Sequence, residues 1–353
     1  MYNSVDIEKE LLYVSIIIPC RNEEKFIGRC LDSIIANDYP KDKLELLVMD
    51  GMSEDGTRDT IRSFARQYPW IRFMENPKQI TPVALNMGIA SAKGEIVIWM
   101  SAHNHYEKDY ISRSVESLNK YGADNVGGIM KTLPRIDNFT GQAIAASLSH
   151  RFGVGNSYFR AQTDKPKWVD TVFGGCYRRD VFDRIGLFNE NLVRGQDMEF
   201  NLRLKKAGGK ILLVPDIVSY YYARSDIRSF WKHNFTNGVW AILPFLYSPV
   251  IPVSWRHLVP LIFVAGLIGS AVLGFLLPGF FWLFLVILGS YVLANLTASF
   301  RIALQKRDLR YLVVMPFIFG ILHFGYGLGS LLGVFKILGT AQFWQKSLGW
   351  KKS

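Results

Sequence analysis

The stretch VSIIIPCRNEE (residues 14–24) decides the fold. Its first six residues are an apolar, β-branched run, as expected for a strand buried on both faces of a sheet. The next segment, 24–37, places apolar residues at helical spacing. The same alternation continues with strands predicted at 44–50, 71–75 and 95–100 and helices at 57–67 and 81–91. Strand–helix units of this length predict an α/β fold with a parallel, doubly wound sheet and right-handed crossovers.

Polar side chains follow three of these strands at the points where the strands end. They are Arg21-Asn22-Glu23, Asp50 and the stretch 101–105. Because ligands bind such sheets at the carboxyl ends of the strands, these clusters are candidates for a binding site. The sequence has neither GxGxxG after the first strand nor GxxxxGK[ST] anywhere, which argues against a dinucleotide oxidoreductase or a P-loop NTPase.

The composition is that of a folded protein with unevenly distributed charge. Of 353 residues, 41 are Lys or Arg and 30 are Asp or Glu, a net charge of +11, and 49% are hydrophobic, which excludes a disordered chain. The three cysteines are too few for a disulfide scaffold, and no Cys/His cluster indicates structural zinc. The excess positive charge lies mainly beside apolar segments, where it meets anionic lipid, so nucleic acid is not an expected partner.

Three uncharged apolar stretches, 258–277, 280–300 and 312–335, predict membrane spans, because about 20 apolar residues match the hydrocarbon core. Basic residues before the first stretch and at 301–310 place those sites, and the preceding large region, on the cytoplasmic side. We expect a multi-pass protein of the cell (inner) membrane. The basic C-terminus conflicts with three full spans, so the Gly-rich third stretch is re-entrant or 240–255 inserts as a fourth. For 240–255, three prolines favour an interfacial path.

Several motifs together carry a family resemblance. They are VSIIIPCRNEE, LLVMDGMSEDGT (46–57), the stretch 76–104 that ends in SAHN, and the stretch 173–211 that contains RGQDMEFNLR. In this order and spacing the chain resembles family 2 glycosyltransferases with a GT-A fold, in particular the membrane-anchored, succinoglycan-type glucosyltransferases of exopolysaccharide biosynthesis. The resemblance implies a Rossmann-like nucleotide-sugar domain at 1–224, an amphipathic interfacial segment at 225–256 and a membrane domain at 257–353.

The resemblance also implies how the donor is bound. Pro19, Asn22 and Glu23 would shape the nucleoside pocket, and Asp50 would hydrogen-bond the uracil or ribose. The alternative for Asp50 is that it only begins the turn after its strand. Lys78 lies where the family often has a basic residue near the diphosphate, and its alternative is a solvated surface lysine.

A divalent metal is expected at the DxD position of the family, because a cation there would meet the diphosphate leaving group. This sequence has Ser101-Ala102-His103 at that position. We hypothesise a metal site that uses His103, with His105 as second ligand, and Mn²⁺ in preference to Mg²⁺, because imidazole suits transition metals and Mg²⁺ prefers oxygen. The alternative is that both imidazoles only hydrogen-bond phosphate or pack.

Asp197 is the expected catalytic base. It matches the aspartate that the family uses to deprotonate the acceptor hydroxyl, and it opens a predicted helix whose N-terminus would keep the carboxylate ionised. The alternative is a plain helix cap. Acceptor contacts are expected from Trp168, Gly175, His233 and Trp240, although Trp168 could equally lie in the core and the helix at 225–240 could be purely structural.

Three functions follow from these expectations. The first is an inverting glycosyltransferase that moves a sugar from a nucleotide sugar, with a UDP-sugar favoured, to a lipid-linked acceptor at the cytoplasmic membrane face. The second is a processive polysaccharide synthase that also extrudes its polymer. Two or three apolar segments in one chain are too few for a secretion pore, which argues against it. The third is a catalytically inactive membrane scaffold or sensor on a transferase fold, which Ser101 in place of the expected aspartate motivates.

Overall fold

The structure is a computed structural model that describes residues 11–161, 163–248 and 255–340. The described residues group into two compact units, each assembled from three separate segments. The first unit lies in Met1–Gly128, Lys167–Phe188 and Leu204–Ser219, and the second in Ile129–Pro166, Asn189–Arg203 and Tyr220–Ser353. The predicted division into a nucleotide-sugar domain (1–224), an interfacial segment (225–256) and a membrane domain (257–353) describes how the chain would lie relative to a membrane, and it stays a prediction.

The described strands form one nine-stranded sheet. They are β1 (Val14–Cys20), β2 (Leu44–Asp50), β3 (Ile71–Glu75), β4 (Ile96–Trp99), β5 (Asn104–Tyr106), β6 (Asn125–Pro134), β7 (Lys167–Trp168), β8 (Gly175–Arg178) and β9 (Ile211–Ala223). Their order is β3-β2-β1-β4-β8-β6-β9-β5, with β7 paired to β9.

The described helices are distributed over both units. They are α1 (Glu24–Ile35), α2 (Thr57–Gln67), α3 (Thr81–Ser91), α4 (Tyr110–Tyr121), α5 (Phe139–Ser149), α6 (Arg151–Val154), α7 (Tyr158–Ala161), α8 (Asp180–Ile185), α9 (Gln196–Lys206), α10 (Ile227–Ile242), α11 (Pro244–Tyr247), α12 (Val259–Gly274), α13 (Gly279–Lys306) and α14 (Arg310–Leu338). Single 3₁₀ turns lie at Lys41–Lys43 and Trp255–His257.

The first four strands confirm the predicted α/β alternation. β1 pairs in parallel with β2 and with β4, and β2 pairs in parallel with β3. In β1 every residue except Pro19 is buried, and all of β2 is buried, as the apolar runs indicate for strands covered on both faces. The parallel registers bring the ends of β1 and β2 level, because Cys20 lies opposite Asp50.

The sheet is mixed beyond β4, which the expectation of a parallel sheet did not include. β8 runs antiparallel to β4 and to β6. Gly128 in β6 is needed because a Cβ there would overlap the backbone of Ile217 in β9. A mixed α/β sheet of this kind is the GT-A-type arrangement that the resemblance implied.

Three helices of the second unit are long and apolar enough to cross a membrane. They span Trp255–Gly274, Gly279–Lys306 and Arg310–Leu338. The turn between the first two exposes large apolar side chains, with Phe275 91% and Leu276 75% accessible. α14 is one continuous helix, so its glycines do not interrupt it.

Three glycines of α14, Gly325, Gly329 and Gly333, lie against α10. A Cβ on Gly329 would come 2.9 Å from the carbonyl carbon of Phe235, and a Cβ on Gly238 would come 2.9 Å from that of Tyr326. The Ser330 hydroxyl donates a hydrogen bond to the Gly238 carbonyl at 3.2 Å. Small residues therefore let these two helix backbones approach closely.

His323 joins α14 to two other segments. Its Nε2 lies 2.9 Å from the carbonyl oxygen of Phe152 and its Nδ1 lies 3.2 Å from the hydroxyl of Tyr291 on α13. Both ring nitrogens are thus engaged inside the unit, with Nε2 as donor and Nδ1 as acceptor. The histidine in the third apolar stretch makes an interhelical contact.

Candidate functional site

The loops that follow β1 and β2 are tied together through Asn22. Its backbone N–H donates to the Ser53 hydroxyl at 2.9 Å, and its side-chain oxygen accepts from the Glu54 amide at 2.9 Å. Asn22 has φ 53°, a left-handed conformation that asparagine tolerates better than most residues. The structure therefore brings two of the predicted polar clusters to one edge of the sheet.

Asp50 is buried and holds the turn that follows β2. Its carboxylate accepts hydrogen bonds from the Ser53 amide at 3.1 Å and the Ser53 hydroxyl at 2.5 Å, and it lies 3.5 Å from Nε of Arg58. Its carbonyl oxygen accepts from the Asn76 amide at 2.7 Å. The turn role left open by the sequence is thus present, and the contact with a nucleoside stays a prediction.

Glu23, Ser101 and His103 meet at the ends of β1 and β4. Nδ1 of His103 lies 3.2 Å from Oε1 of Glu23 and 3.3 Å from the Ser101 hydroxyl. The Ser101 amide donates to the buried Tyr106 hydroxyl at 2.7 Å, which fixes the backbone before the histidine. A carboxylate, an imidazole and a hydroxyl, all partly accessible, are thereby held within reach of one small ligand.

These three donors fit a divalent ion that takes further ligands from a substrate. Within the ranges that the structure describes, no group of three or more His, Cys, Asp or Glu side chains is arranged to hold a metal. Glu23 and His103 offer one oxygen and one nitrogen donor 3.2 Å apart, and such a mixed set suits Mn²⁺ better than Mg²⁺. The remaining coordination positions would need oxygens from water or a diphosphate.

The other donor-side residues occupy separate positions. Burial lowers the pKa of His105, nearby Arg29 lowers it further, and Glu107 opposes both. Lys78 is exposed in the loop between β3 and α3, and Pro19 is partly buried within β1. The roles of these three residues as metal ligand, diphosphate contact and pocket wall stay predictions.

Two predicted acceptor residues lie in the first unit. Gly175, with φ 137°, leaves no space for a side chain, because a Cβ would come 2.5 Å from the Tyr177 ring and 2.7 Å from Oδ1 of Asn125. Packing alone thus accounts for this glycine. Trp168 in β7 is 51% exposed, so it is not part of the core.

Asp197 lies in the first turn of α9 in the second unit. Burial raises the pKa of its carboxyl above the ordinary aspartate value, against the lowering effect of hydrogen bonds from the amides of Met198 and Asp197 and of the charge on Arg256. The amides at a helix N-terminus would by themselves lower the pKa of Asp197, but the effect of desolvation is larger. A raised pKa makes Asp197 a stronger base than a solvated aspartate.

The first turn of α9, which carries Asp197, also carries Glu199, and Glu199 forms a buried ion pair with Arg203 on the next turn of the same helix. Arg203 donates to both oxygens of Glu199, from Nε at 2.7 Å and from Nη2 at 3.0 Å. Glu199 is 1% accessible, and the Ser248 hydroxyl lies 3.4 Å from it. This bidentate pair supports the first two turns of α9, the helix on which Asp197 lies.

His233 belongs to a polar chain on α10. Its Nε2 lies 3.1 Å from Nδ2 of Asn237, and Oδ1 of Asn237 accepts a hydrogen bond from Arg194 at 2.6 Å. Arg194 lies three residues before Asp197, so α10 is linked directly to the turn of the candidate base. Trp240 lies on the same helix and is partly buried.

Sequence reasoning missed three functional candidates. Arg160 lies over the ring of the buried Tyr221 in β9, Arg194 donates to Asn237 in α10, and Arg256 donates to the Asn156 carbonyl at 3.3 Å. No local pattern could have found them, because the residues of each contact lie 43 to 100 positions apart in the chain and only the fold brings them together.

Comparisons with known proteins agree with this architecture. The family model described as "Glycosyl transferase family 2" matches residues 15–186. The "Dolichyl N-acetyl-alpha-D-glucosaminyl phosphate 3-beta-D-2,3-diacetamido-2,3-dideoxy-beta-D-glucuronosyltransferase" of Methanococcus voltae is 29% identical, over 92% of this chain and 98% of that protein. The "Succinoglycan biosynthesis protein ExoA" of Rhizobium meliloti is 29% identical over 74% and 83%. The "Glycosyltransferase AglE" of Haloferax volcanii is 30% identical over 61% and 68%.

Solved structures share the fold. A mannosyltransferase from Pyrobaculum calidifontis, in complex with GDP-Man and Mn²⁺, superposes with a TM-score of 0.57 at 19% identity, over 93% of this chain and 88% of that one. Residues 1–349 of TarS from S. aureus, in complex with UDP-GlcNAc, superpose with a TM-score of 0.51 at 16% identity, over 90% of each chain. The GT-A fold implied by the resemblance is thus confirmed.

Proposed function

The chain belongs to glycosyltransferase family 2, and from this we propose that it is an inverting enzyme that transfers a sugar from a nucleotide sugar to a lipid-linked acceptor. The reaction takes place at the cytoplasmic face of the cell membrane. A UDP-sugar is the favoured donor, and polysaccharide or glycolipid biosynthesis is the setting. The resemblance to the succinoglycan-type branch, with the relative from Rhizobium meliloti, supports that setting.

One observation supports the proposal that the acceptor is linked to a lipid. Asp197, the candidate base, belongs to the same compact unit as the three long apolar helices. The charge of Arg256, in the turn directly before α12, acts on the Asp197 carboxyl. The start of an apolar helix would lie at the membrane surface. A base close to that point is therefore well placed to take a proton from a hydroxyl of a lipid-linked acceptor. The name of the Methanococcus voltae relative describes such an acceptor, a sugar joined through phosphate to dolichol.

The chemistry needs one base. The acceptor hydroxyl attacks the anomeric carbon while its proton passes to the carboxylate of Asp197, and the bond from that carbon to the diphosphate oxygen breaks. A single displacement inverts the anomeric configuration, so an α-linked donor gives a β-linked product. The raised pKa of Asp197 suits this task, because a more basic carboxylate takes the proton more readily.

On the donor side, Asn22, Asp50 and the loops they hold would bind the nucleoside, with Pro19 beside them and Lys78 near the diphosphate. Glu23, Ser101 and His103 would hold a divalent ion, Mn²⁺ in preference to Mg²⁺, with His105 as a further candidate ligand. Such an ion would neutralise charge that develops on the leaving diphosphate. On the acceptor side we retain Trp168, Gly175, His233 and Trp240 as candidate contacts.

The test uses the full chain in detergent micelles with a UDP-sugar panel, GDP-mannose and a prenyl-phosphate-linked sugar as acceptor, each with Mn²⁺ or Mg²⁺. We expect one UDP-sugar to give a single addition, with the β configuration by NMR. Asp197→Asn should lower turnover by roughly 10²- to 10⁴-fold and keep UDP binding, whereas the exposed control Asp183→Asn should keep both.

Other outcomes would change the proposal in defined ways. Long polymers on the primer would indicate a processive synthase, and UDP binding without turnover on any acceptor would indicate an inactive sensor. Turnover with GDP-mannose alone would replace the donor. Equal support by Mg²⁺ and Mn²⁺, with His103→Ala unchanged in its metal dependence, would remove His103 from the metal site.

A further inference from the structure

The side chain of Asn104 is buried without a hydrogen bond. Asn104 is 2% accessible, and neither its amide oxygen nor its amide nitrogen has a partner among the described residues. It begins β5, in which the first and third residues are buried and His105 between them is partly accessible. Side chains alternate between the two faces of a strand, so Asn104 points to the same side as Tyr106, a residue of the apolar core.

This arrangement is costly in the free protein. A buried amide without hydrogen bonds loses its contacts with water and gains none in return, and here the loss applies to a donor and to an acceptor. Leucine has nearly the same size and shape and would occupy the position without that loss. Because buried polar groups of folded proteins nearly always have partners, this exception indicates a second state of the protein in which the amide is used.

The candidate ion site lies directly beside Asn104. The Asn104 backbone amide donates to the Ser101 carbonyl at 3.2 Å, which closes a four-residue turn. The third residue of that turn is His103, whose Nδ1 lies 3.2 Å from Oε1 of Glu23. Glu23 and His103 supply one oxygen and one nitrogen donor, so a divalent ion between them would need further oxygens. An amide oxygen is a suitable ligand for such an ion.

We propose that Asn104 is a third protein ligand of the divalent ion, and that its side chain moves from the core to the ion when the ion binds with a nucleoside diphosphate. In that state the amide oxygen coordinates the ion and the amide nitrogen can donate to water or phosphate, so both groups gain partners. The movement gives up the hydrogen bond between Asn104 and the Ser101 carbonyl. The nucleotide in this proposal rests on the proposed function, whereas the cost of the buried amide does not.

The first measurement is thermal unfolding of the full chain in detergent micelles without ligand. Asn104→Leu removes the unsatisfied amide and should raise the unfolding temperature by roughly 2 to 6 °C. Asn37→Leu is the matched control and should unfold below the wild type. Asn37 is also buried, but its nitrogen donates to the Glu107 carbonyl at 3.4 Å and its oxygen accepts from the Tyr39 amide at 3.1 Å. If Asn104→Leu likewise unfolds below the wild type, the amide is satisfied in the free protein and the proposal is overturned.

The second measurement is the affinity for UDP and for GDP by isothermal titration, each with and without Mn²⁺. For the nucleotide that the wild type binds, Asn104→Leu should weaken binding with Mn²⁺ by roughly 10- to 100-fold and binding without Mn²⁺ by less than about threefold. Asn37→Leu should keep both affinities. Unchanged binding with Mn²⁺ in Asn104→Leu would overturn the ligand role. A wild type that binds neither nucleotide would overturn the proposed donor together with the ligand role, and the unfolding temperatures, which involve no ligand, distinguish that case.

Discussion

Replacing Gly329 by alanine should loosen the contact between α10 and α14. The new Cβ would lie 2.9 Å from the carbonyl carbon and 3.1 Å from Cα of Phe235, and closer still to the carbonyl oxygen. These are backbone atoms, so no side chain can rotate away to make room. Gly320→Ala on the same helix is the control, because a Cβ there meets nothing within 4 Å.

The expected size of the effect follows from these distances. Carbon atoms in contact lie about 3.5 to 4.0 Å apart, so the helices must separate by at least about 0.6 Å, which forfeits a large part of the neighbouring contacts. Overpacking of this kind costs about 1 to 3 kcal/mol. Gly320→Ala should instead gain up to about 1 kcal/mol, because alanine has the higher helix propensity.

The assay is thermal unfolding of the full chain in one detergent, scanned at one rate because such unfolding is commonly irreversible. We expect Gly329→Ala to unfold roughly 2 to 6 °C below the wild type and Gly320→Ala to unfold at or slightly above it. Gly238→Ala tests the same contact from α10 and should resemble Gly329→Ala. If both variants unfold together with Gly320→Ala, the close approach of the two helices is refuted.

Two further predictions concern the turn of the candidate base. A base must be deprotonated to act, so the raised pKa of Asp197 places the loss of kcat/KM in acid at a higher pH than for an ordinary aspartate. Arg256→Gln removes a charge that lowers this pKa and should therefore move the acid limb of the pH–rate profile to still higher pH. A profile that shifts to lower pH or does not move in this variant would contradict the prediction. Glu199→Gln should destabilise the protein by about 3 to 5 kcal/mol, because it leaves the Arg203 charge without its carboxylate. The double variant Glu199→Leu with Arg203→Met, which removes both charges, should lose less stability. Equal unfolding temperatures for Glu199→Gln and the wild type would contradict a stabilising ion pair.

The first four strands and the helices between them could be predicted from sequence nearly to the residue. Their apolar runs, such as the one that became β1, are bounded by clear polar or glycine-containing turns. The antiparallel part of the sheet gave no comparable pattern. β8 has four residues, and the glycines in β6 and β8 reflect close packing against Ile217 and Tyr177, which no local sequence pattern reveals.

The candidate site shows the same difference between what could and what could not be predicted from the sequence. Residues at strand ends, such as Glu23 and His103, could be found because a parallel sheet brings its strand ends to one edge. Their mutual contact at 3.2 Å was not foreseen, since 80 positions separate them. For Asp197 the sequence indicated the helix terminus but not the burial, and burial raises the pKa of its carboxyl.

The segmented make-up of the second unit has a consequence for biosynthesis. The first unit has all its segments once Ser219 has been translated, whereas α5 and α6 receive their packing neighbour α14 only when that helix is complete at Leu338. At ribosomal rates of about 5 to 20 residues per second, the nascent chain waits on the order of ten seconds between these points. A fragment truncated before α14 to avoid detergents would leave α5 and α6 permanently without that neighbour.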